Sequence, residues 1–381
     1  MQITGAVLET TGADAPFSRT RPFTVGPLEL DPPEAGEILV RIEAAGICHS
    51  DLSVVDGNRR RPVPMLLGHE AAGIVEQLGA DVDDLAVGDR VVMTFLPRCG
   101  HCAGCATDGR LPCEVGTAAN NAGTLVGGGI RLHRQRPGDN SDSDADAEAV
   151  FHHLGVSGFA SHAVVSRTSV VPVPADVPAD IAALLGCAVL TGGGAVLNAG
   201  RPAAAERVIV VGLGGVGMAA LLVAVALGHE VVGVDAVASK LDLARRLGAA
   251  RALTPADALA QATDADGRAS VVIEAAGNAR AFETAFALTA PGGTTVTVGL
   301  PAPDARASVS PLTLTAEART VIGSYLGSAV PSRDIPRYIE LWRAGRLPLE
   351  KLVSSHVALT EIDVAMDRLA AGGELRQLIT F

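Results

Sequence analysis

The chain has 381 residues and a mass of 38.7 kDa. One hydrophobic core rarely grows to that size, so two domains are expected. Acidic residues outnumber basic ones by 42 to 30, and the net charge of −12 argues against a nucleic acid or an anionic membrane as the main partner. Apolar residues make up 48% of the chain and the mean hydropathy is +0.32, which excludes global disorder.

The cysteine content and the first residues predict a cellular compartment. Six cysteines in a chain of this length do not form a disulfide scaffold. Residues 1–12 lack the basic start and apolar run of a secretory signal. We therefore expect reduced cysteines in a cytoplasmic protein. The apolar stretch 208–228 contains four glycines near its start, which favours a buried strand, a turn and a helix over a membrane span.

Residues 1–188 have the pattern of a β-rich domain. Short Val- and Ile-rich runs bounded by Gly and Pro occur at residues 37–42, 67–78 and 89–94. Residues 120–150 are polar, with an acidic run at 139–148, and contain no segment that could build a core. This stretch predicts a surface loop.

From residue 189 to about 325, strand and helix patterns alternate. The continuous apolar run at 208–211 is typical of a strand buried on both faces. The segments 230–235, 270–274 and 293–298 also have strand patterns, and the segments 240–247 and 279–288 have helical patterns. This alternation predicts a doubly wound parallel sheet. Residues 326–381, with a helical pattern at 361–371, are expected to return to the first domain.

A glycine-rich turn opens the second predicted domain. The residues 212–217 read Gly-Leu-Gly-Gly-Val-Gly and follow a predicted strand, where such a turn lets backbone approach a pyrophosphate at a helix N-terminus. Asp235 ends the next strand, and a carboxylate there binds ribose hydroxyls and repels a 2′-phosphate, which favours NAD over NADP. Lys240 either reaches the ribose or is solvated. A plain packing turn is the alternative for the glycines.

Four cysteines cluster within fifteen residues. Cys99, Cys102, Cys105 and Cys113 follow the spacing C-x2-C-x2-C-x7-C, which can surround one tetrahedral ion. An iron–sulfur cluster is the rival, but its fourth cysteine usually comes sooner and precedes a proline. The pattern predicts a structural zinc in a lobe at about 97–115.

Cys48, His69 and Cys187 are the other candidate ligands. Two thiolates and an imidazole would leave a fourth position on zinc for water or alcohol. Sequence distance does not show that the three meet, and a single His or buried Cys is more often structural.

The chain resembles the zinc-dependent medium-chain alcohol dehydrogenases, in their long-loop form, over nearly its full length. The matching segments are 46–51, 68–70, the cysteine quartet, 151–155, 187–191, the glycine turn and 376–381. The resemblance implies a GroES-like catalytic domain at 1–188, a Rossmann domain at 189–325 and a return to the catalytic domain at 326–381. It implies two zinc ions per chain, the catalytic one on Cys48, His69 and Cys187.

Further roles follow from the resemblance alone. Asp51 orients the ring of His69, Glu70 lies behind the metal, and Ser50 bonds the alcohol and passes its proton outward. His49 and Arg376 face the coenzyme pyrophosphate. The remaining residues implied in binding lie near the nicotinamide (Thr191, Val298), in the coenzyme turn (Gly212, Gly214, Gly215, Val216, Gly217) or in the substrate pocket (Phe95).

The resemblance implies an NAD-dependent oxidoreductase that interconverts an alcohol and an aldehyde or ketone, and a homodimer, with a tetramer as the alternative. Ser53 stands where several family members carry the histidine that ends the proton relay. No cation occurs at 114–117, which weakens the alternative of a dehydrogenase for the thiol adduct of formaldehyde. A non-catalytic protein of the same fold is the remaining alternative.

Overall fold

The computed structural model describes residues 1–134, 147–263 and 267–381. Of the acidic run at 139–148, residues 139–146 lie outside the described residues. The strands, in chain order, are β1 (Gln2–Leu8), β2 (Phe23–Leu30), β3 (Glu37–Ile47), β4 (Met65–Leu66), β5 (Ala71–Leu78), β6 (Arg90–Met93), β7 (Leu132–Arg134), β8 (Glu148–His152), β9 (His162–Ser166), β10 (Val170–Val173), β11 (Arg207–Val211), β12 (Glu230–Val234), β13 (Arg251–Leu253), β14 (Ala269–Glu274), β15 (Thr289–Thr297), β16 (Thr320–Gly323), β17 (Val353–Val357) and β18 (Arg376–Thr380).

The α-helices are α1 (Phe17–Thr20), α2 (His49–Val55), α3 (Glu114–Ala122), α4 (Ala179–Leu184), α5 (Leu190–Gly194), α6 (Gly215–Ala226), α7 (Ala238–Arg246), α8 (Pro255–Gln261), α9 (Ala279–Leu288), α10 (Pro311–Ala316), α11 (Pro331–Arg343) and α12 (Ile362–Ala370). Two π-helical segments, Leu185–Val189 and Ala195–Gly200, continue α4 and α5.

The chain forms two compact units. The first comprises residues 1–107, 112–187 and 353–381, and the second comprises 108–111 and 188–352. The second unit extends to residue 352, beyond the predicted boundary at 325, because α11 packs on α5 and the 3₁₀ turn Leu349–Leu352 packs on α6. Both of these packing partners belong to the second unit.

The first unit combines a barrel with a sheet. Strands β1, β2, β7, β8 and β4 close the barrel, and the sheet has the order β10-β6-β5-β3-β18-β17, with β9 also paired to β3. Strand β3 is buried on both faces: Ile38, Val40 and Ile42 join one core cluster and Leu39 joins another. This double burial explains why three consecutive apolar residues occur at 38–40.

The prediction of a coreless surface loop over residues 120–150 is wrong for its described part. Strands β7 and β8 belong to the barrel, and Leu125, Leu132 and Val150 are buried in its core. Strands of three and five residues are too short to show a clear alternation. Arg134 on β7 forms ion pairs with Glu9 and Glu148, so polar side chains are part of this wall.

The second unit is built on a six-stranded sheet of order β13-β12-β11-β14-β15-β16. Every adjacent pair in it is parallel, which confirms the predicted Rossmann sheet. The apolar stretch 208–228 forms β11, the glycine turn and α6, as predicted.

Within the described residues, one helical stretch is long and apolar enough to cross a membrane. It is Ala179–Gly200, and 89% of its apolar 18-residue segment is buried inside the protein. Such burial is typical of a core helix.

Candidate metal centres and coenzyme turn

Three separate elements of the first unit bring Cys48, His69 and Cys187 together. Cys48 follows β3 and precedes α2, His69 lies between β4 and β5, and Cys187 lies in the π-helical segment after α4. All three side chains are buried, and their ligand atoms lie within 4.8 Å of one another. Sγ of Cys187 is 3.5 Å from Nε2 of His69. Two sulfurs and one imidazole nitrogen would fill three of the four coordination positions of a zinc ion. This donor set fits a zinc site that keeps its fourth position open for water or substrate.

Asp51 organises two of these donors from the first turn of α2. Its buried carboxylate lies 2.9 Å from Nδ1 of His69 and accepts hydrogen bonds from the backbone amides of Cys48 (3.0 Å) and Gly68 (3.3 Å). Burial alone would raise the pKa of Asp51, but the charge of His69 and the side-chain interactions with His153 and His69 outweigh it and lower the pKa. With its Nδ1 held by Asp51, His69 presents Nε2 to the cysteines.

Glu70 and Arg376 form a buried ion pair beside Cys48. Nε of Arg376 lies 3.2 Å from Oε2 of Glu70, and Nη2 lies 3.5 Å from Sγ of Cys48. The register between β18 and β3 pairs Gln377 with Ile47, which brings Arg376 next to Cys48. Burial raises the pKa of Glu70 to about 7 in spite of the guanidinium.

The Cys48 sulfur is surrounded by donors and positive charge. The hydrogen bond from the Cys187 thiol lowers the pKa of Cys48 well below its usual value, and the charges of Arg376 and His69 act in the same direction against burial. A thiolate is the form that binds a metal. The structure thus places Arg376 against the metal donors, and its predicted contact with the coenzyme pyrophosphate stays a prediction.

The predicted relay and pocket residues lie on the same unit. Ser50 is the second residue of α2, and His49 is the first. The hydroxyl of Ser53 donates a hydrogen bond to the backbone carbonyl of His49 at 2.8 Å, one turn earlier in α2. The ring of Phe95 meets the ring of His69 edge-on, with centroids 5.6 Å apart.

The cysteine quartet also converges. Its ligand atoms lie within 4.8 Å of one another, and the backbone amides of Cys105 and Glu114 donate to Sγ of Cys102. These amides lower the pKa of Cys102 to about 6. A Cβ on Gly104 would lie 2.1 Å from the carbonyl oxygen of Pro112, so only glycine permits this turn. Four sulfurs would occupy all four coordination positions of a tetrahedral ion, which fits a structural zinc.

The glycine turn of the second unit lies at the carboxyl end of β11. Gly212 has φ +90°, and a Cβ on Gly217 would lie 1.8 Å from the carbonyl oxygen of Gly212. Asp235 follows β12, and its carboxylate accepts hydrogen bonds from the amides of Leu213 (2.7 Å) and Val237 (2.9 Å). Asp235 therefore supports the turn itself, a function that sequence reasoning missed.

The other predicted coenzyme residues lie on several elements of the second unit. Gly214, Gly215 and Val216 are in the turn and the start of α6; Lys240 is in α7, Thr191 is in α5, and Val298 follows β15.

Sequence reasoning also missed His153. Its buried ring packs edge-on against the ring of His69, with centroids 5.5 Å apart, and its Nδ1 lies 3.3 Å from Oδ1 of Asp51. Burial lowers the pKa of His153. The segment 151–155 carried part of the resemblance, but nothing local distinguished His153 from His152.

Comparisons with known proteins agree with this architecture. Residues 34–175 match the family model of the alcohol dehydrogenase GroES-like domain, and residues 215–344 match that of the zinc-binding dehydrogenases. The NDMA-dependent alcohol dehydrogenase of Amycolatopsis methanolica is 34% identical over 391 residues, covering 100% of this chain and 99% of the relative.

Two further relatives are named for their alcohols. The geraniol dehydrogenase of Castellaniella defragrans is 34% identical over 366 residues, covering 94% of this chain and 95% of the relative. The crystal structure of benzyl alcohol dehydrogenase from Acinetobacter calcoaceticus superposes with a TM-score of 0.88 at 30% identity, covering 100% of this chain and 99% of that one.

A GroES-like unit and a Rossmann unit, with two clusters of metal-type donors, define a zinc-binding dehydrogenase. More specifically, the chain belongs to the zinc-dependent medium-chain alcohol dehydrogenase family. Its relatives support an oxidoreductase with alcohol dehydrogenase activity.

Proposed function

We propose that the protein is a zinc- and NAD-dependent alcohol dehydrogenase that reversibly transfers hydride between an alcohol and NAD. The observation that carries the proposal is the buried convergence of Cys48, His69 and Cys187 on one point of the first unit. A zinc ion held there supplies Lewis acidity, which makes a bound alcohol more acidic and polarises a carbonyl. NAD supplies the hydride acceptor.

This chain's own residues hold the donors and move the proton. Asp51 keeps the ring of His69 in place, and Arg376 neutralises the excess negative charge of Cys48 and Glu70. Ser50, in the first turn of α2, accepts the proton of the alcohol and passes it outward. Because the hydroxyl of Ser53 bonds the carbonyl of His49, Ser53 does not extend the relay, and the proton leaves through His49, water or the coenzyme ribose.

Asp235 supports NAD as the coenzyme. Its carboxylate stands at the glycine turn, and a negative charge there repels the 2′-phosphate of NADP. One relative is named for NDMA dependence, so NDMA belongs in the test as a competing electron acceptor.

The relatives also suggest which alcohols to test first. In geraniol and in benzyl alcohol the carbinol carbon is bonded to an unsaturated carbon. The Phe95 ring, packed on His69, would provide an apolar wall for such a group. We therefore propose allylic and benzylic primary alcohols as substrates; the homodimer expected from the resemblance stays a prediction.

The test is an alcohol and aldehyde panel followed by nicotinamide absorbance, with NAD or NADP, with and without NDMA, and with and without a cofactor thiol. We expect turnover of alcohols with NAD and no thiol, and a decrease of about 100-fold or more in kcat for Ser50→Ala. Formaldehyde oxidation only with added thiol would select the thiol-adduct alternative. A metal-loaded protein that turns over no alcohol with either coenzyme or with NDMA would contradict the proposal.

A further inference from the structure

His153 packs edge-on against the proposed metal ligand His69 but is not one of the three proposed ligands of the site. It follows β8 and is 1% exposed. Its Nδ1 is 3.3 Å from Oδ1 of Asp51, within ion-pair distance, and among the described residues this nitrogen has no hydrogen bond of good geometry. A buried polar nitrogen with a single carboxylate in reach is an unusual feature of a packed core.

The Asp51 carboxylate is the point on which three parts of the chain converge. It contacts the Cys48 amide at the start of α2, the His69 ring between β4 and β5, and the His153 ring after β8. A buried charge is costly unless hydrogen bonds surround it. His153 contacts the Asp51 carboxylate from a third segment of the chain. Without His153, the carboxylate would be held only by the two segments that carry Cys48 and His69.

The two neighbouring histidines have different surroundings. His152 is also 1% exposed, but its Nε2 accepts a hydrogen bond from the Arg131 amide at 3.1 Å and its Nδ1 lies 3.3 Å from Oγ of Ser157. Those two contacts tie it to the barrel and its adjoining turn. His152 is therefore a matched control for His153.

We propose that His153 is a positioning residue for the Cys48–His69–Cys187 metal site: its Nδ1–H donates to Asp51 and thereby holds the carboxylate that orients His69. The inference rests on the proposed function only in taking this site to bind zinc. Groups that orient a metal-ligating histidine typically contribute a factor of about 10 to 100 in metal affinity.

The experiment measures zinc affinity by chelator competition in three variants. Asn places its amide nitrogen near the position of Nδ1, whereas Gln places its own near Nε2. We expect His153→Gln to weaken one of the two zinc ions by about 10- to 100-fold. His153→Asn should stay within a few-fold of wild type, and His152→Gln should leave both affinities unchanged. The zinc of the cysteine quartet is the internal control for folding in every variant.

Should His153→Gln fail to fold, His153→Leu, which also lacks a donor, takes its place with the same expectation. Unchanged zinc affinity in a folded His153→Gln or His153→Leu protein would overturn the proposal, as would equal weakening in the Asn and Gln variants, which would indicate packing alone. A third zinc ion per chain that His153→Gln removes would overturn it too, because Asp51, His69 and His153 would then be ligands. A wild-type protein that binds zinc only at the quartet would instead refute the proposed function, so the two failures are distinguishable.

Discussion

Because His152 is buried in a neutral form, the free energy of unfolding should depend on pH, and the size of this dependence follows from the contacts of the ring. Nε2 accepts a backbone hydrogen bond from Arg131, so this nitrogen must be unprotonated in the folded protein. Burial, aided by the charges of Arg131 and His133, lowers the pKa of His152 to about 3. In the unfolded chain the pKa of histidine is about 6.5.

The sign of the effect follows from these two values. At pH 8 and above the ring is almost entirely neutral in both states, so it contributes almost nothing to the pH dependence of the free energy of unfolding. As the pH falls below about 6.5, His152 binds a proton in the unfolded chain but stays unprotonated in the folded protein. The folded state therefore loses stability until the pH reaches about 3. At pH 5, about 1.5 pH units below the unfolded pKa, the loss is about 2 kcal/mol.

The assay compares wild type with His152→Gln by urea unfolding, followed by circular dichroism at pH 8 and pH 5. Gln carries an oxygen that can accept the Arg131 amide, and it does not titrate. The other titrating groups are common to both proteins and cancel in the difference. We expect the free energy of unfolding of wild type relative to the variant to fall by about 2 kcal/mol between pH 8 and pH 5. An identical difference at both pH values would refute the reasoning.

Three further predictions concern the proposed sites. Cys48→Ala should remove one of two zinc ions and the alcohol turnover, while the fold persists because the cysteine quartet is separate from the Cys48 site. Two zinc ions by metal analysis, or normal turnover, would contradict this. Asp235→Asn keeps an acceptor for the Leu213 amide but removes the charge, and should raise the NADP-to-NAD ratio of kcat/KM by about 10-fold or more; an unchanged ratio would count against a charge effect. Cys113→Ser should lower Tm and zinc content but not kcat per folded molecule; a large loss of kcat would assign the quartet a catalytic part.

Short-range patterns were predictable because their geometry is local. The cysteine quartet spans fifteen residues, and the glycine turn and Asp235 belong to consecutive strands. The parallel sheet followed from alternating apolar runs, since such strands must be covered by helices on both faces.

Other predictions failed or were missed where long-range packing decides the outcome. Residues 120–150 contain few apolar side chains, yet Leu132 and Val150 complete a barrel whose other strands come from residues 2–66. The second unit continues to residue 352 because α11 packs on α5. Strands β7 and β8 are too short to leave a clear periodic signal, and the helical periodicity of α11, with Ile335, Tyr338 and Ile339 buried, does not specify which unit the helix packs on.

The sequence by itself determined the donor types, the coenzyme turn and the two kinds of domain, because residue chemistry and periodicity carry that information over short distances. Only the tertiary structure brought His69 to Cys187, 118 positions further along the chain, and set Arg376 beside Cys48 through strand register. It also gave His153 and His152 different contacts, the former with Asp51 and the latter with Arg131 and Ser157. Each of these contacts depends on how distant segments pack against one another, and no spacing along the chain determines that distance.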